Sequence, residues 1–314
     1  MKYFRSYSWW AQFLLFLFLV CVFLFFAGFS MERLLPKIFG ISITQIESIN
    51  DKSPHYLIDA ALIAQAFSSI IIFMLTGFLF AYLAHPRPFE YLGLKKAKPM
   101  HLLLVLLIMA GAMPILQMIE TLVSQINFGE SVKRSQEESE SMMRAFLTMP
   151  DTMTFVKVFC IMAVIPAAGE EIFFRGVLMR LMKKSLPGIH YLVSVISTAV
   201  VFALMHSNPY GLLSIFLAGI LLGSIYYITG SLWCNILAHL FFNGSQVLLV
   251  YLSDSRPGLK KFLEADDPRM LVPYLLIGVV VFGASLYALI RTKTPLPADW
   301  PQDFNTFELT TLEA

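Results

Sequence analysis

The hydrophobic and polar positions divide the chain into eight long apolar segments that are separated by shorter polar connections. A helix that crosses the hydrocarbon core of a membrane needs about 20 predominantly apolar residues. The segments of suitable length and composition are residues 9–29, 57–84, 101–123, 153–178, 190–207, 211–228, 232–252 and 271–291. The pattern therefore predicts an all-α protein, a polytopic membrane helix bundle of about eight transmembrane helices. In the sixth segment, Gly219 and Gly223 have the GxxxG spacing that allows close helix packing.

The composition agrees with a chain that is solvated mainly by lipid. Of the 314 residues, 57% are apolar and only 14% are charged, and the mean hydropathy is +0.71. A soluble protein of this length needs more charge to cover its surface. The net charge of +2 gives no reason to expect nucleic acid as a partner, and the three cysteines form no CxxC pair. Membrane lipid is the first partner that the sequence predicts.

The distribution of Lys and Arg predicts that both termini lie in the cytoplasm. The membrane that the chain spans is expected to be the cell (inner) membrane. Dense basic residues occur in three short stretches, "HPRPFEYLGLKKAKP" (85–99), "RLMKKSLPG" (180–188) and the tail that begins "RTKTP" (291–295). Cytoplasmic connections carry such an excess. The opposite connections also contain basic residues, but mixed with acids, as in residues 131–151. With the termini inside, we expect the functional site to open to the cytoplasmic side.

Costly polar side chains inside the apolar segments mark the candidate functional residues, because ionisable groups in a membrane usually face the protein interior or a water-filled cavity. Three segments contribute them, and they are Glu170, Glu171, Arg175, His206, Asn235, His239 and Asn243. Four further groups lie near segment ends, where we expect snorkelling or capping roles. These are Asp59, His101, Glu120 and Lys157.

Helical geometry sorts the central candidates. Glu171 and Arg175 are four residues apart, so they share a helix face and can pair. Glu170 lies about 140° around the helix from Arg175 and has no such local partner. The fourth and fifth segments form a predicted hairpin that turns near residue 188, and Glu170 and His206 are equally distant from that turn. We therefore expect these two side chains to meet.

The seventh segment adds His239 and Asn243, which are four residues apart and project together. Each residue alone is more often a packing residue, and the Glu171–Arg175 pair alone can simply hold its helix in place. Three helices that each supply a costly polar group favour one shared site within the membrane.

Three short motifs resemble a known family. "EEIFFR" (170–175) fits EExxxR, "FALMH" (202–206) fits FxxxH and "HLFFN" (239–243) fits HxxxN. In order and separation they resemble the CPBP intramembrane proteases, which include the type II CAAX prenyl endopeptidases and the bacterial Abi and bacteriocin-immunity proteins. The resemblance covers residues 153–252.

The resemblance implies a role for each motif residue. The first glutamate of EExxxR activates the attacking water, the two histidines hold that water and shuttle protons, and the asparagine of HxxxN stabilises the oxyanion. The second glutamate and the arginine give structural and electrostatic support. In this sequence the water-activating glutamate is Glu170, and the two histidines are His206 and His239. The oxyanion donor is Asn243, and the supporting pair is Glu171 with Arg175.

The need for a metal stays open at this point. Glu170, His206 and His239 are a plausible zinc-binding set with room for a water, and members of the family have been described as metalloproteases. The sequence contains no HExxH motif of the usual zinc protease. Water activated by glutamate and histidine explains the same residues without zinc, and we favour this metal-free version.

We divide the chain into three parts. Residues 1–152 contain the first three transmembrane helices with amphipathic loops, and residues 153–252 are the predicted CPBP-type protease core. Residues 253–314 contain the last transmembrane helix and a polar cytoplasmic tail. The predicted function is an intramembrane endopeptidase that acts on a membrane-associated or hydrophobic peptide or protein. Nothing in the sequence indicates a prenyl group or an oligomeric state.

Two other functions stay open. A non-catalytic scaffold or bacteriocin-immunity protein would use the same bundle to bind a partner peptide or membrane protein. A small transporter or proton pathway would use intramembrane Glu and His as a proton relay. Transporters often have inverted repeats or broken helices, and neither is clear in this sequence.

Overall fold

The computed structural model describes residues 3–185, 190–206, 208–263 and 268–294. Within these ranges every regular element is a helix, which confirms the predicted fold class. The predicted polar tail from residue 295 and the predicted hairpin turn near residue 188 lie outside the described residues.

Nine helices of 15 residues or more form the described bundle. They are α1 (Trp9–Phe39), α2 (His55–Ala84), α3 (Pro99–Val123), α4 (Glu130–Phe146), α5 (Thr152–Ser185), α6 (Tyr191–Met205), α7 (Leu212–Thr229), α8 (Leu232–Ser253) and α9 (Val272–Arg291). Shorter helices are Phe4–Ser6, Ile43–Glu47, Pro88–Tyr91, Pro257–Leu263 and Pro268–Leu271. Seven of the described helices are long and apolar enough to cross a membrane, and α6 is a shorter apolar helix.

The outer surface of the bundle is apolar, as lipid requires. On α1 the side chains of Phe18 and Phe25 are 63% and 75% exposed, and on α9 those of Leu276 and Val280 are 63% and 69% exposed. Such residues would be unfavourable on a surface in contact with water. The chain is therefore an integral, multi-pass membrane protein.

The first and the last described segments and three other parts of the chain meet at one end of the bundle, which we call the termini face. The indole N–H of Trp9 donates to the Leu181 carbonyl oxygen (2.7 Å), and two backbone bonds run from Leu232 N to Gly93 O (2.8 Å) and from Thr294 N to Ile228 O (3.0 Å). The opposite end, which we call the loop face, carries the connections 40–54, 124–151 and 208–211. Together with the shorter α6, the seven long apolar helices give eight crossings, so the first and the last described residues lie on the same side.

Close packing of α6 against α7 depends on glycine. A Cβ atom at Gly219 would lie 3.0 Å from Ala199 Cβ, and one at Gly223 would lie 2.8 Å from Val195 Cγ1. The predicted GxxxG contact is therefore present, and its partner is α6. This contact brings the end of α6, and with it His206, against α7 and the core.

Helix α4 lies where the sequence analysis expects only an amphipathic loop. Its exposed surface carries pairs at helical spacing, such as Arg134 Nε with Glu138 Oε1 at 3.1 Å. Its C-terminal end is anchored differently, because Phe146 and the following Met149 are buried in a cluster with Leu57 of α2. Helix α4 is thus fixed to the bundle at one end and covers part of the loop face.

Asp151 begins α5 by capping its first turn. The backbone N–H and the hydroxyl of Thr154 donate to the Asp151 carboxylate, and the backbone bond is 2.8 Å long. These bonds hold the pKa of the Asp151 carboxyl below its ordinary value. Capping contributes to stability only while this group is ionised.

The snorkelling or capping role predicted for four end residues is wrong for His101. Its side chain is buried, and Nε2 lies 2.9 Å from the carbonyl oxygen of Thr292, which ties the start of α3 to the end of α9. Lys157 and Asp59 instead form a partly exposed ion pair, with Nζ 2.5 Å from Oδ1. Glu120 lines the cavity described next.

Candidate active site

A cavity of about 380 Å³ lies in the half of the bundle nearer the loop face. Helices α2 to α8 all contribute to its walls, with the connection between α6 and α7. Its volume is within the range of small-molecule and peptide side-chain pockets. The lining residues that matter for the chemistry are Glu170, Phe202, His206, His239 and Asn243, and Glu120 lies in the same wall.

Glu170 faces two histidines across this cavity. Its Oε2 atom lies 4.0 Å from Nε2 of His206 and 4.0 Å from Nε2 of His239, and its side chain is 13% exposed. Among the described residues, Oε2 has no hydrogen-bond partner. The structure thus brings together three side chains from α5, α8 and the end of α6, and it leaves the carboxylate oxygen available to a further group.

Hydrogen bonds determine which nitrogen of each imidazole faces Glu170. Nδ1 of His206 lies 2.7 Å from the carbonyl oxygen of Phe202, and Nδ1 of His239 lies 2.9 Å from Oε1 of Glu171. Both oxygens can only accept, given that Glu171 is ionised beside its arginine, so both Nδ1 atoms carry the proton. In its neutral form, each imidazole therefore presents the lone pair of Nε2 to the cavity.

Glu171 lies on the opposite side from the cavity, in a fully buried polar network. Arg175 Nη1 donates to its Oε1 at 2.6 Å, and Nη2 of the same arginine donates to the carbonyl oxygen of Gly219 at 3.1 Å. The two side chains are 0% and 1% exposed. The predicted pair at positions i and i+4 is present, and Glu171 also orients His239, a contact that the sequence analysis does not include.

Asn235 completes this network. Its Nδ2 atom donates to Glu171 Oε2 at 3.2 Å and to the carbonyl oxygen of Leu222 at 2.7 Å, and the residue is 0% exposed. From the sequence alone, Asn235 is a candidate because it is a polar residue in an apolar segment, but no role for it follows. The available signal was its position four residues before His239, which places both side chains on one helix face.

Phe202 holds the two histidines against the network. Its ring centroid lies 4.5 Å from that of His206 and 6.1 Å from that of His239. The guanidinium of Arg175 lies 4.8 Å from the Phe202 centroid on the interior side. The phenylalanine of the FxxxH motif thus separates the buried ion pair from the cavity.

The path of α5 explains the position of Asn243. Pro166 has no N–H to donate to the carbonyl oxygen of Met162, four residues earlier. The preceding turn, Cys160–Val164, is π-helical. Asn243 Nδ2 donates to this Met162 oxygen over 3.4 Å, a long bond. The amide of Asn243 is therefore held at the cavity wall by an oxygen that lacks its α-helical partner.

A second π-helical stretch, Ile172–Leu178, follows the paired glutamates directly. Such stretches occur often at functional sites. Here the stretch carries Arg175, which is placed so that it reaches Glu171 and α7 at once.

The arrangement of these side chains does not fit a bound zinc ion. No group of three or more His, Cys, Asp or Glu side chains within the described ranges is spaced to hold a metal. Two ligands of a tetrahedral zinc lie about 3.3 Å apart, since each is 2.0–2.1 Å from the ion. Glu170 Oε2 is 4.0 Å from each histidine nitrogen. A water hydrogen-bonded to both groups fits this spacing, because such a bond is about 2.8 Å long.

The cavity opens toward the loop face. Its outer lining includes Glu120 in the last turn of α3 and Met143 in α4. Leu147, directly after α4, and Asn208, after α6, also belong to it. The sequence analysis expects the termini and the opening of the site on the same, cytoplasmic side. That combination is wrong, because the opening lies at the opposite end of the bundle from the first and the last described residues.

Comparison with known proteins agrees with the resemblance. Residues 152–245 match the family model described as "Type II CAAX prenyl endopeptidase Rce1-like". The match covers less than a third of the chain, but it includes all three motifs. It confirms the resemblance and supports an intramembrane protease of the CAAX type at the level of the family. No curated protein and no solved structure matches the chain.

Proposed function

We propose that this chain, whose residues 152–245 are Rce1-like, is an intramembrane endopeptidase that hydrolyses a peptide bond with water activated by Glu170 and two histidines. One observation carries the proposal. A buried carboxylate oxygen without a hydrogen-bond partner among the described residues lies 4.0 Å from each of two histidine nitrogens, at the wall of a cavity. A water at this point can donate one proton to Glu170 Oε2 and the other to Nε2 of one histidine, and these two hydrogen bonds polarise it.

The first step is attack on the carbonyl carbon of the scissile bond. Glu170 takes one proton from the water, and the new bond joins the water oxygen to the carbonyl carbon. The second proton of the water is donated to Nε2 of one histidine, which holds the water in place, and the other histidine is left to relay protons. The negative charge moves to the carbonyl oxygen, where Asn243 donates a hydrogen bond. One such donor in a dry site contributes about 3 kcal/mol to the transition state.

The second step breaks the bond between carbon and nitrogen. The nitrogen of the leaving amine receives the proton that Glu170 took from the water, directly or through one of the histidines, and the electrons on the oxyanion re-form the carbonyl. The products are a carboxylic acid and an amine. Glu171 and Arg175 support this step indirectly, because Glu171 orients His239 and Arg175 neutralises Glu171. No step passes through a metal.

The position of the cavity suggests a substrate that is itself associated with the membrane. Lipid-exposed helices surround the site, and the cavity is reached from the loop face. We therefore propose a membrane-anchored peptide or membrane protein as the substrate. The proposed catalytic residues Glu170, His206, His239 and Asn243 support this assignment, since all four line one cavity.

Proteolysis in reconstituted vesicles tests the proposal. We expect the wild-type protein to cleave members of a library of membrane-anchored peptides. Glu170→Gln should lower kcat/KM by about 10²- to 10⁴-fold, the range of a general base. His206→Ala and Asn243→Ala should each cause a large loss with the protein still folded. A parallel reaction with a chelator should leave the wild-type rate unchanged.

Three outcomes would change the proposal. Loss of activity with the chelator, restored by added zinc, would replace the metal-free mechanism. Equal cleavage by wild type and Glu170→Gln would remove Glu170 from the mechanism. If no peptide is cleaved and Glu170→Gln supports the cellular phenotype as wild type does, the protein is a scaffold.

We further propose that the termini lie in the cytoplasm, so that the cavity opens to the other side of the membrane. The termini face carries Arg5, Arg87, Lys96, Lys98 and Lys184, with Glu90 beside Arg87. On the loop face, basic and acidic residues are mixed, as along α4. This asymmetry is the one that the positive-inside rule describes.

Labelling of single cysteines in intact cells tests this orientation. In a chain whose native cysteines are replaced by alanine, an impermeant maleimide should label Ser135→Cys, which is exposed on α4. It should label Lys96→Cys, exposed on the termini face, only after the cells are opened. The reverse pattern would contradict the proposal and place the cavity opening in the cytoplasm.

A further inference from the structure

A second carboxylate lines the catalytic cavity, and the proposed reaction does not use it. Glu120 lies in the last turn of α3, is half-buried, and contributes to the same cavity wall as Glu170. Both helices reach the termini face, so the number of residues from that face measures the depth of each glutamate. Glu120 is 21 residues from Pro99 at the start of α3, and Glu170 is 15 residues from Ser185 at the end of α5. At 1.5 Å per residue, Glu120 lies roughly 9 Å closer to the opening.

The surroundings of Glu120 are unfavourable for a negative charge in three ways. Part of its surface is removed from water. It lies at the C-terminal end of a helix, where the macrodipole is negative. Glu140 of α4 is close enough to repel it. Glu140 itself is compensated, since Arg144 Nη1 lies 3.7 Å from its Oε2 and Gln136 donates to its Oε1 at 3.0 Å.

No positive side chain within the described part of the cavity wall balances Glu120. The described lining residues include the carboxylates of Glu120 and Glu170, and they include neither lysine nor arginine. Both histidines of the lining face Glu170, with Nε2 4.0 Å from its Oε2 atom in each case, and not Glu120. The described lining of the cavity therefore holds two carboxyl groups and no lysine or arginine to pair with them. An ionisable group in such a position within a membrane protein indicates a binding role.

We propose that Glu120 forms a subsite that binds the positively charged side chain of a lysine or arginine in the substrate. This inference rests on the proposed function and adds a substrate class to it, namely peptides with a basic residue near the cleavage site. An extended peptide advances about 3.3 Å per residue. A separation of roughly 9 Å from Glu170 along the cavity axis therefore places the basic residue two to four residues from the scissile bond.

A matched peptide series tests the subsite. The parent is a membrane-anchored peptide that the wild-type protein cleaves, and each position near the cleavage site is replaced in turn by lysine, norleucine or glutamate. At one position, two to four residues from the scissile bond, lysine should raise kcat/KM about tenfold over norleucine, the effect of one partly desolvated ion pair. Glutamate at that position should lower it.

Two variants separate the subsite from general electrostatics. Glu120→Gln should remove the preference for lysine and keep cleavage of the norleucine peptide within about twofold, and Glu120→Lys should reverse the preference toward glutamate. Glu130→Gln makes the same charge change on an exposed residue of α4 outside the cavity lining. It should leave the preference for lysine intact.

The outcomes distinguish this inference from the proposed function. Cleavage of norleucine peptides without any preference for lysine would overturn the subsite and keep the protease. A preference for lysine that survives in Glu120→Gln, or that Glu130→Gln also removes, would show that Glu120 is a solvated residue at a helix end. Failure of the wild-type protein to cleave any peptide would overturn both proposals.

Discussion

Glu170 and Glu171 are neighbours in the chain, yet they lie in two different regions of the molecule. Glu171 is fully buried, and its carboxylate accepts hydrogen bonds from Arg175, His239 and Asn235. Glu170 faces a cavity, and its Oε2 atom has no hydrogen-bond partner among the described residues. One carboxylate has its full set of partners within the protein, and the other has room for a group from outside.

The difference shows how a membrane protein can use two charges at one depth. A buried ion pair costs desolvation energy, but once formed it is strongly destabilising to break. The Glu171 network can therefore hold three helices in a defined arrangement. The Glu170 carboxylate, whose Oε2 atom has no such partner among the described residues, does not stabilise the fold in this way. Its proposed role is to bind water or substrate. Variants that affect stability and activity separately can test this division.

The largest expected effect follows the loss of Arg175. Arg175→Ala leaves the Glu171 carboxylate buried without its cation and leaves the Gly219 carbonyl without its donor. We expect the free energy of unfolding to fall by about 3–5 kcal/mol. Titration of mixed micelles with a denaturing detergent, followed by circular dichroism, measures this change.

Glu170→Gln is the matched control, because it removes the charge of the residue next to Glu171 and keeps the size of the side chain. Its free energy of unfolding should equal that of wild type within about 0.5 kcal/mol or exceed it, since active-site carboxylates are often stability liabilities. If Glu170→Gln destabilises the protein as much as Arg175→Ala, the contrast between the two glutamates is wrong.

A smaller effect is expected at Asn235, which we infer to be a positioning residue. Asn235→Ala removes a hydrogen bond to Glu171 and so loosens the residue that orients His239. Loss of such an outer partner typically lowers activity about 10- to 100-fold. Because Asn235 does not line the cavity, kcat should fall while KM changes by less than about twofold.

Cys234→Ala provides the control for Asn235. Cys234 is equally buried and adjacent on α8, but it belongs to an apolar cluster away from the glutamates. Its replacement should leave kcat near the wild-type value. A rise in KM without a change in kcat for Asn235→Ala would indicate altered substrate binding and would contradict the positioning role.

Much of the fold follows from local sequence patterns. All eight predicted segments correspond to helices whose ends lie close to the predicted ones, except that α1 continues to Phe39 and α5 to Ser185. Lipid requires long apolar helices, so hydropathy alone is informative. The meeting of Glu170 and His206 also follows from simple geometry, because residues equally far from a hairpin turn lie at equal depth.

Other features depend on contacts between helices and could not be derived in this way. The link from Asn235 through Glu171 to His239 joins α5 and α8, whose relative rotation no local pattern determines. Residues 131–151 combine many charges with a short apolar end, and only packing against α2 shows that α4 forms there. The direction of the cavity opening likewise depends on the arrangement of the whole bundle.

Pro166 has a consequence for the energy of the proposed reaction. The amide of Asn243 already donates to a carbonyl oxygen, that of Met162, over a long 3.4 Å bond. When a substrate oxygen gains negative charge nearby, the amide can exchange one oxygen partner for a more strongly charged one with little rotation. Proline in α5 thus keeps the reorganisation energy of the oxyanion donor small, because the donor is ordered in advance by a bond that is easily given up.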